Sequence, residues 1–290
     1  MNKYLNYLSL FFENKKEVVY IRDEKSYLDV TNELKKNTLI AIDTEFTWRK
    51  TYYPSLSLIQ ISNQNKIFIF DIYQKNNFFE LSEIFKSNKV LKVFHSLRSD
   101  ISVLKSSLEM EVINVFDTQI AQSFLENDFS KQISYKDLVK KYFFKSISKH
   151  ETNSDWNKRP LKYNQIEYAA NDVRYLIKIM QLQMTKLKKL KLLEEFNNLC
   201  VKEKTLGEED FSFARLKRLK KKNKKISKLD ESIFLWREEE AKKRNIPPND
   251  IFKVNNLSRL KELVQKKNFN ECSWIIRDES SRQRFISNFK

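Results

Sequence analysis

Three short segments of the first 72 residues carry the β-branched and aromatic side chains that are typical of strands. They are TLIAIDTEF at 38–46, SLIQIS at 57–62 and KIFIFDI at 66–72, and only short breaks separate them. Because a parallel pair of strands needs a connection of a dozen or more residues, this spacing predicts an antiparallel meander. A fourth strand pattern, VLKVFH, follows at 90–95.

Segments with helical periodicity lie between and after these strand patterns. One of them, SLRSDISVLKSSL, places four apolar side chains on one stripe: Leu97, Ile101, Leu104 and Leu108. DTQIAQSFLEN, SYKDLVKKYF and the long segment over about 163–193 also predict helices. Together these patterns predict an α/β domain, in which helices cover the faces of a mixed sheet.

The composition changes after about residue 205. A dense basic run at 215–228, RLKRLKKKNKKISK, is most simply a solvated linker or helix face, and less simply a phosphate-binding stripe. The patterns that follow are wholly helical, and Pro247 and Pro248 are expected to stop the first of these helices. With 290 residues available, we predict one domain over 1–205 and a smaller helical one over 206–290.

Charge and glycine content narrow the possible functions. The net charge of +17 suggests a polyanionic partner such as nucleic acid, although an AT-rich genome would produce the same lysine excess through its codons. The only glycine is Gly207, which excludes a glycine-rich phosphate loop and a dinucleotide-binding fingerprint. Any phosphate groups must therefore be bound by side chains and metal ions.

The remaining composition predicts a cytoplasmic protein. No segment approaches the roughly 20 apolar residues that cross a bilayer. The N-terminal segment MNKYLNYLSLFFENKK lacks the basic head and cleavage site of a signal peptide. Cys200 and Cys272 are the only cysteines and lie far apart, so neither a disulfide framework nor a cysteine metal site is expected.

Two acids end the first strand pattern. Asp43 and Glu45 are separated by one residue, so their side chains share a face of the strand. Two carboxylates on one face repel each other and lose hydration unless a cation balances them. A single D-x-E pair is weak evidence for a metal site, because an Asp at a strand end is also a common cap of a turn or helix.

Three further residues strengthen the case. Asp100 falls near the start of a helix that follows a strand, while Tyr168 and Asp172 are four residues apart and share a helix face. Each has a simpler structural role when taken alone. Together, however, four carboxylates suit hard cations such as Mg²⁺ or Mn²⁺. Two such ions about 3.5–4 Å apart can assist phosphodiester hydrolysis, and a neutral tyrosine can orient the attacking water.

Three segments around these residues resemble, in chain order, the exonuclease motifs of ribonuclease D: DTEFTWRKTYYPSLSLIQIS, FHSLRSDISVL and DWNKRPLKYNQIEYAANDVRYL. The resemblance covers about residues 18–185. In addition, LWREEEAKKRNIPPNDIF resembles the opening of the HRDC helical domain of that family. The resemblance implies a ribonuclease H-like 3′-5′ exonuclease domain followed by a small all-α HRDC domain.

The resemblance also implies a role for each of the five residues. Asp43 and Glu45 are expected to bind metal, with Asp43 bridging two divalent ions, Mg²⁺ or Mn²⁺. Asp172 is expected on the first ion and Asp100 on the second, more loosely held one. Tyr168 is expected to position the water, and Asp117 is expected to cap a helix without binding metal.

Several neighbouring residues are candidates for substrate contact, and each has a structural alternative. Phe46 and Gln60 contact the terminal nucleotide or only pack. His95 contacts substrate or, as we favour, makes packing or hydrogen-bonding contacts at the strand end. Arg159 touches a phosphate or, with Trp156, braces the loop ahead of the third motif.

The basic run contributes three more candidates for binding RNA, Lys220, Lys221 and Lys222. Long ribonuclease D proteins carry two HRDC domains, whereas the sequence has room for one after the nuclease. We therefore expect the accessory domain to bind RNA more weakly, and we expect the lysines at 217–225 to compensate in part.

The function that these features predict is a metal-dependent 3′-5′ exoribonuclease. Its expected partner is RNA with a free 3′ end, such as precursor tRNA and other small structured RNAs, and its expected products are nucleoside 5′-monophosphates. We expect a monomer in a bacterial cytoplasm, with no membrane partner. A 3′-5′ DNA exonuclease of repair and a non-catalytic nucleic-acid-binding protein remain as alternatives.

Overall fold

The computed structural model describes residues 16–74, 78–148, 150–223 and 225–290. Residues 1–15 of the N-terminal segment considered as a signal peptide lie outside this range, as does Lys224 of the basic run. The described chain divides into two compact units. One contains the residues up to Thr47 together with Ser55–Glu208, and the other contains Trp48–Pro54 and Glu209–Lys290.

A six-stranded mixed sheet forms the centre of the first unit, with strand order β1-β4-β3-β2-β5-β6. Its strands are β1 Glu17–Ile21, β2 Leu39–Thr47, β3 Ser55–Ser62, β4 Lys66–Asp71, β5 Leu91–Phe94 and β6 Val115–Asp117. Strands β2, β3 and β4 form the predicted antiparallel meander. The pairs β1–β4, β2–β5 and β5–β6 are parallel. The predicted mixed sheet is therefore confirmed.

The two edge strands, β1 and β6, were not predicted. They contain five and three residues, respectively, which is too short for an alternating pattern to stand out. Each forms because it pairs with a longer or more apolar neighbour, β1 with β4 and β6 with β5.

Helices cover both faces of this sheet. In the described part of the unit they are α1 Glu24–Leu34, α2 Phe79–Lys86, α3 Arg98–Leu108, α4 Thr118–Glu126, α5 Tyr135–Phe143, α6 Tyr163–Arg174, α7 Leu176–Lys189 and α8 Leu193–Glu208. The side chains of β2 alternate between two apolar cores. Ile40 and Ile42 face a core that includes residues of α1, α2 and α3, whereas Ala41 faces one that includes residues of α6 and α7.

The segment predicted as one long helix from about 163 is interrupted at Tyr175. In a continuous helix the Tyr175 amide would bond to the Asn171 carbonyl. Instead, the Tyr135 hydroxyl lies between them: it donates to the Asn171 carbonyl at 3.0 Å and accepts from the Tyr175 amide at 3.1 Å. A side chain inserted into the hydrogen-bond ladder is a known cause of a helix break.

The C-terminal part of the second unit, Glu209–Lys290, is helical, as predicted. Its described helices are α9 Phe211–Lys222, α10 Lys228–Arg244, α11 Pro248–Ile251, α12 Leu257–Gln265, α13 Cys272–Ile275 and α14 Glu279–Phe289. The basic run is helical as far as Lys222, and Leu216 on this helix is buried in the core of the unit. The first part of the run is therefore a packed helix rather than a linker.

Helix α10 ends before the two prolines that were expected to stop it. Asn245 caps the helix in the left-handed region with a φ of 47°, and Pro248 begins α11. Pro248 suits the first position of a helix, where its missing N–H costs no hydrogen bond. The last predicted helical segment, ECSWIIRDESSRQRFISNF, forms two helices, α13 and α14, and Asp278 caps the start of α14.

No helix in the described residues is long and apolar enough to span a membrane. Cys200 and Cys272 are both buried and free.

Replacing Tyr135 with Phe tests the cause of the helix break. Loss of the hydroxyl leaves the Asn171 carbonyl and the Tyr175 amide without their partner, so we expect a loss of about 1–3 kcal/mol in unfolding free energy. Urea denaturation measures this loss. Tyr163→Phe is the control, because Tyr163 is 75% exposed and its change should stay within about 0.5 kcal/mol. Unchanged stability of Tyr135→Phe would mean that the helix closes its own ladder.

Candidate active site

Strand β2 places two carboxylates on one face of the sheet. Asp43 pairs with Gln60 across the β2–β3 ladder and Glu45 pairs with Leu58. Since residues in register share a face, both acids project toward the side that α6 covers. Both carboxylate-bearing residues are half-buried.

Helix α6 supplies the third carboxylate, Asp172. The side of α6 that meets the sheet carries Ala169 and Ala170, both fully buried, and such small side chains allow the helix to lie close to the strands. One oxygen from each of Asp43, Glu45 and Asp172 lies within 4.8 Å of the other two. The structure therefore brings together three of the four predicted acids in one group.

Asp100 approaches from the opposite face of the same strand. It lies in the first turn of α3, is 5% exposed, and accepts a hydrogen bond of 2.6 Å from the Thr44 hydroxyl. Thr44 stands between Asp43 and Glu45 and faces the other way. Asp100 is outside the three-carboxylate group, yet close enough for the charges of Asp43 and Asp100 to repel each other.

The electrostatics of the acids favour a bound cation. Burial raises the pKa of Asp43 well above its usual value, and repulsion by Asp172 raises it further. Burial and the neighbouring acids, Asp43 first, raise the pKa of Glu45 in the same way. The pKa of Asp100 is raised by burial and then by Asp43. A divalent cation would remove this repulsion, and an all-carboxylate donor set suits Mg²⁺ or Mn²⁺.

Tyr168 lies on the same helix as Asp172, one turn earlier. Its ring packs against Trp156 with a centroid distance of 5.8 Å, and its hydroxyl lies 3.1 Å from the Thr152 hydroxyl. Burial, followed by the charge of Asp172, raises the pKa of Tyr168. The hydroxyl is therefore protonated at neutral pH and can donate a hydrogen bond to a water molecule.

Arg159 braces the loop that leads into α6. Its guanidinium forms a bidentate ion pair with Asp71 of β4, with Nε–Oδ2 and Nη2–Oδ1 distances of 2.6 and 2.8 Å. It also donates to the Trp156 carbonyl at 2.7 Å. Tyr20 donates to the same aspartate, which is only 3% exposed. This arrangement corresponds to the bracing alternative for Arg159.

The remaining candidates next to the acids are His95, Phe46 and Gln60, and each is at least partly buried. The His95 ring nitrogens lie 3.0 Å from the Thr118 hydroxyl and 3.2 Å from the Ile133 carbonyl. Phe46 is half-buried against the core on the α3 side of the sheet. Gln60 is fully buried. Contact of any of these with a substrate therefore remains a prediction.

Asp117 is confirmed as a helix cap. Its carboxylate accepts hydrogen bonds from the Gln119 and Ile120 amides at the start of α4. It also accepts from the Ser96 and Leu97 amides, directly ahead of α3. One buried carboxylate thus fixes the start of both helices, including the one that carries the metal-site candidate Asp100.

The three candidate lysines lie on α9 and differ in their contacts. Lys220 forms an ion pair of 2.6 Å with Glu231. Lys221 and Lys222 are exposed, and neither takes part in an ion pair with a described residue. Lys221 and Lys222 are therefore the better placed of the three to bind a phosphate group.

Sequence reasoning missed three residues that support the acids: Thr44, Asp71 and Tyr135. Thr44 could have been found, because alternation places it between the two acids on the opposite face. Asp71 and Tyr135 carry no local signal, since their partners Arg159 and Tyr175 are 88 and 40 residues away.

Known proteins resemble this chain in sequence and in fold. A family model described as 3′-5′ exonuclease matches residues 18–188. Ribonuclease D of Pseudomonas paraeruginosa is 28% identical over 263 residues, which cover 88% of this chain and 68% of that protein.

Solved structures also share the fold. The crystal structure of Escherichia coli RNase D, described as an exoribonuclease involved in structured RNA processing, superposes with a TM-score of 0.78 at 22% identity. The match covers 87% of this chain and 67% of the other. Brucella melitensis NrnC with bound Mg²⁺ matches with a TM-score of 0.54 at 24% identity, over 66% of this chain and 90% of the other. The chain belongs to the 3′-5′ exonuclease family and is of the ribonuclease D type.

Proposed function

We propose that this protein is a metal-dependent exoribonuclease that removes nucleotides one at a time from the 3′ end of RNA. The observation that carries the proposal is the group of Asp43, Glu45 and Asp172, whose oxygens lie within 4.8 Å of one another, with Asp100 behind them. Precursor tRNA and other small structured RNAs are the proposed substrates. Their choice follows from the ribonuclease D type of the chain.

The acidic residues would hold two divalent ions, Mg²⁺ or Mn²⁺. Glu45 and Asp172 would bind the first ion, Asp100 would bind the second, and Asp43 would bind both. Bound there, such ions would neutralise the acids, polarise the scissile phosphate and lower the pKa of the attacking water. The magnesium ion of the NrnC structure belongs to a protein with the same fold and supports this choice of metal.

Tyr168 would orient the water that attacks the terminal phosphodiester. Its hydroxyl stays protonated at neutral pH, so it can donate to one partner and accept from another. Trp156 packs on the ring, and Arg159 holds the Trp156 carbonyl to the sheet through Asp71. This support would keep the hydroxyl in place during catalysis.

The second unit is proposed to assist in binding RNA. Its resemblance to an HRDC domain and the exposed Lys221 and Lys222 support this role. We further propose that the protein acts as a monomer in a bacterial cytoplasm. A DNA exonuclease and a non-catalytic binding protein are the competing functions.

One assay separates these functions. The protein is incubated with RNA and DNA oligonucleotides of matched sequence, each with a 3′ tail, in Mg²⁺, Mn²⁺ or EDTA. Stepwise shortening of the RNA from its 3′ end, absent in EDTA, is the expected result. Preference for DNA would support the repair function instead. Tight RNA binding without cleavage of either substrate would support the non-catalytic one.

Replacing Asp43 with Asn tests whether the acids hold a cation. Removing one charge relieves repulsion with Asp172, so in EDTA the variant should melt above the wild type, by about 2–4 °C for each 1 kcal/mol removed. Added Mg²⁺ should raise the melting temperature of the wild type but not that of the variant. Cleavage should be lost. Asp29→Asn, which removes an exposed acid, is the control and should behave as the wild type.

Replacing Tyr168 with Phe tests the role of the hydroxyl. The variant keeps the ring contact with Trp156 and all four acids, so we expect a fall in kcat of about 10²–10³-fold, the usual cost of removing one positioned hydrogen-bond donor. Binding of Mg²⁺, measured by thermal shift, should be unchanged. A loss of metal binding comparable to that of Asp43→Asn would contradict the assigned role.

Salt dependence distinguishes binding lysines from paired ones. Changing Lys221 and Lys222 to Gln should reduce the slope of log affinity for RNA against log salt by about 1.4, at about 0.7 per phosphate contact. The matched control is Lys217 and Lys220 changed to Gln, because these two lysines on the same helix pair with Glu209 and Glu231. Equal slopes for the two variants would show that the lysines of α9 act through their overall charge and not through individual phosphate contacts.

A further inference from the structure

Gln60 is a buried amide without a hydrogen-bond partner. It lies in the middle of β3, its side chain is fully buried, and neither its Oε1 nor its Nε2 atom is bonded to any described residue. Other buried polar side chains in the described part of the chain lack a partner at only one atom: Trp156, Gln183 and Arg237. Among the described residues, only Gln60 leaves both a buried side-chain donor and a buried side-chain acceptor without a partner.

Such a group is costly to the fold. A buried donor or acceptor without a partner costs about 1–3 kcal/mol, whereas an apolar side chain of the same shape is close to neutral. Apolar residues occupy nearby positions of the same core, including Leu58 and Ile69. Packing alone would therefore favour leucine or methionine at position 60, and the presence of an amide needs another explanation.

The position of Gln60 in the sheet supplies that explanation. Gln60 is in register with Asp43 across the antiparallel β2–β3 pair. Directly opposed residues share a face, and their Cβ atoms lie about 4.5–5.5 Å apart. Helix α6 packs over this part of the sheet, so the Gln60 side chain shares a covered face with the carboxylate that we assign to both metal ions.

We propose that Gln60 is a positioning residue for Asp43: its amide group donates a hydrogen bond to the Asp43 carboxylate when that carboxylate is charged and binds a cation. The inference rests on the proposed function of the acidic group. A ligand that bridges two ions must keep both oxygens in a fixed orientation, and hydrogen bonds from outside the ligand set commonly provide this.

Glutamine is suited to this role by its chemistry. Its amide donates a hydrogen bond at any pH at which the protein is folded, and it brings no charge to a site that already contains four carboxylates. A lysine at this position would compete with the metal for Asp43, and a glutamate would add to the repulsion. Full burial also favours this role over the sequence-based alternative of contact with the terminal nucleotide, since the side chain has no surface to offer.

Gln60→Met tests the inference, because methionine has a similar length and shape but no hydrogen-bonding group. Mg²⁺ and Mn²⁺ are titrated into the metal-free protein by calorimetry, with thermal unfolding measured in EDTA. We expect an equal or higher melting temperature in EDTA and about 10–100-fold weaker metal binding. In cleavage assays the KM for RNA should stay unchanged, and excess Mg²⁺ should restore most of kcat.

Gln183→Met is the matched control. Gln183 is also a fully buried glutamine, but its Nε2 atom donates to the Thr118 carbonyl at 2.9 Å, which joins α7 to the start of α4. Loss of this bond should lower the melting temperature and leave metal affinity unchanged. The control therefore separates loss of a buried amide from loss of one beside Asp43.

Three results would overturn the inference. Wild-type metal affinity in Gln60→Met would show that the amide does not orient Asp43. Unfolding of both Gln60→Met and Gln60→Leu would show that the amide is required by the fold itself. Absence of metal binding in the wild-type protein would overturn the proposed function first, and this outcome is distinct because it does not depend on position 60.

Discussion

Repulsion among buried carboxylates is the constraint on which the rest of the first unit depends. One carboxylate oxygen from each of Asp43, Glu45 and Asp172 lies within 4.8 Å of the other two, although burial and mutual repulsion raise the free energy of the charged forms of Asp43 and Glu45. Such an arrangement persists only where the surrounding structure holds it in place. The central position of β2, with β3 on one side and β5 on the other, supplies that rigidity.

Because side chains alternate between the two faces of β2, this strand contacts acids from the helices on both faces of the sheet. Asp43 and Glu45 face α6, which brings Asp172, whereas Thr44 faces α3 and holds Asp100. Asp117 then fixes the start of α3 by accepting from the amides ahead of it. Thr44 and Asp117 thus position Asp100 next to the acids on the other face of the sheet.

A buried ion pair between Asp71 and Arg159 holds the loop before α6. Asp71 receives Arg159 and Tyr20, and Arg159 in turn binds the Trp156 carbonyl. A bidentate pair with several hydrogen bonds offsets the cost of burying both ions. The two sets of acids therefore have different consequences: the clustered acids repel one another, and the Asp71–Arg159 pair gives Tyr168 a rigid neighbour.

The amino-acid sequence by itself determined the mixed sheet, its central meander, the helical second unit and the identity of the acids. These features follow from short-range periodicity and from motifs that recur in one family. Only the tertiary structure decided that Tyr135 interrupts the helix at Tyr175, that Arg159 braces a loop, and that Lys220 pairs with Glu231. It also placed Gln60 opposite Asp43. The reason is physical: each of these depends on one contact between elements rather than on a repeating pattern along the chain.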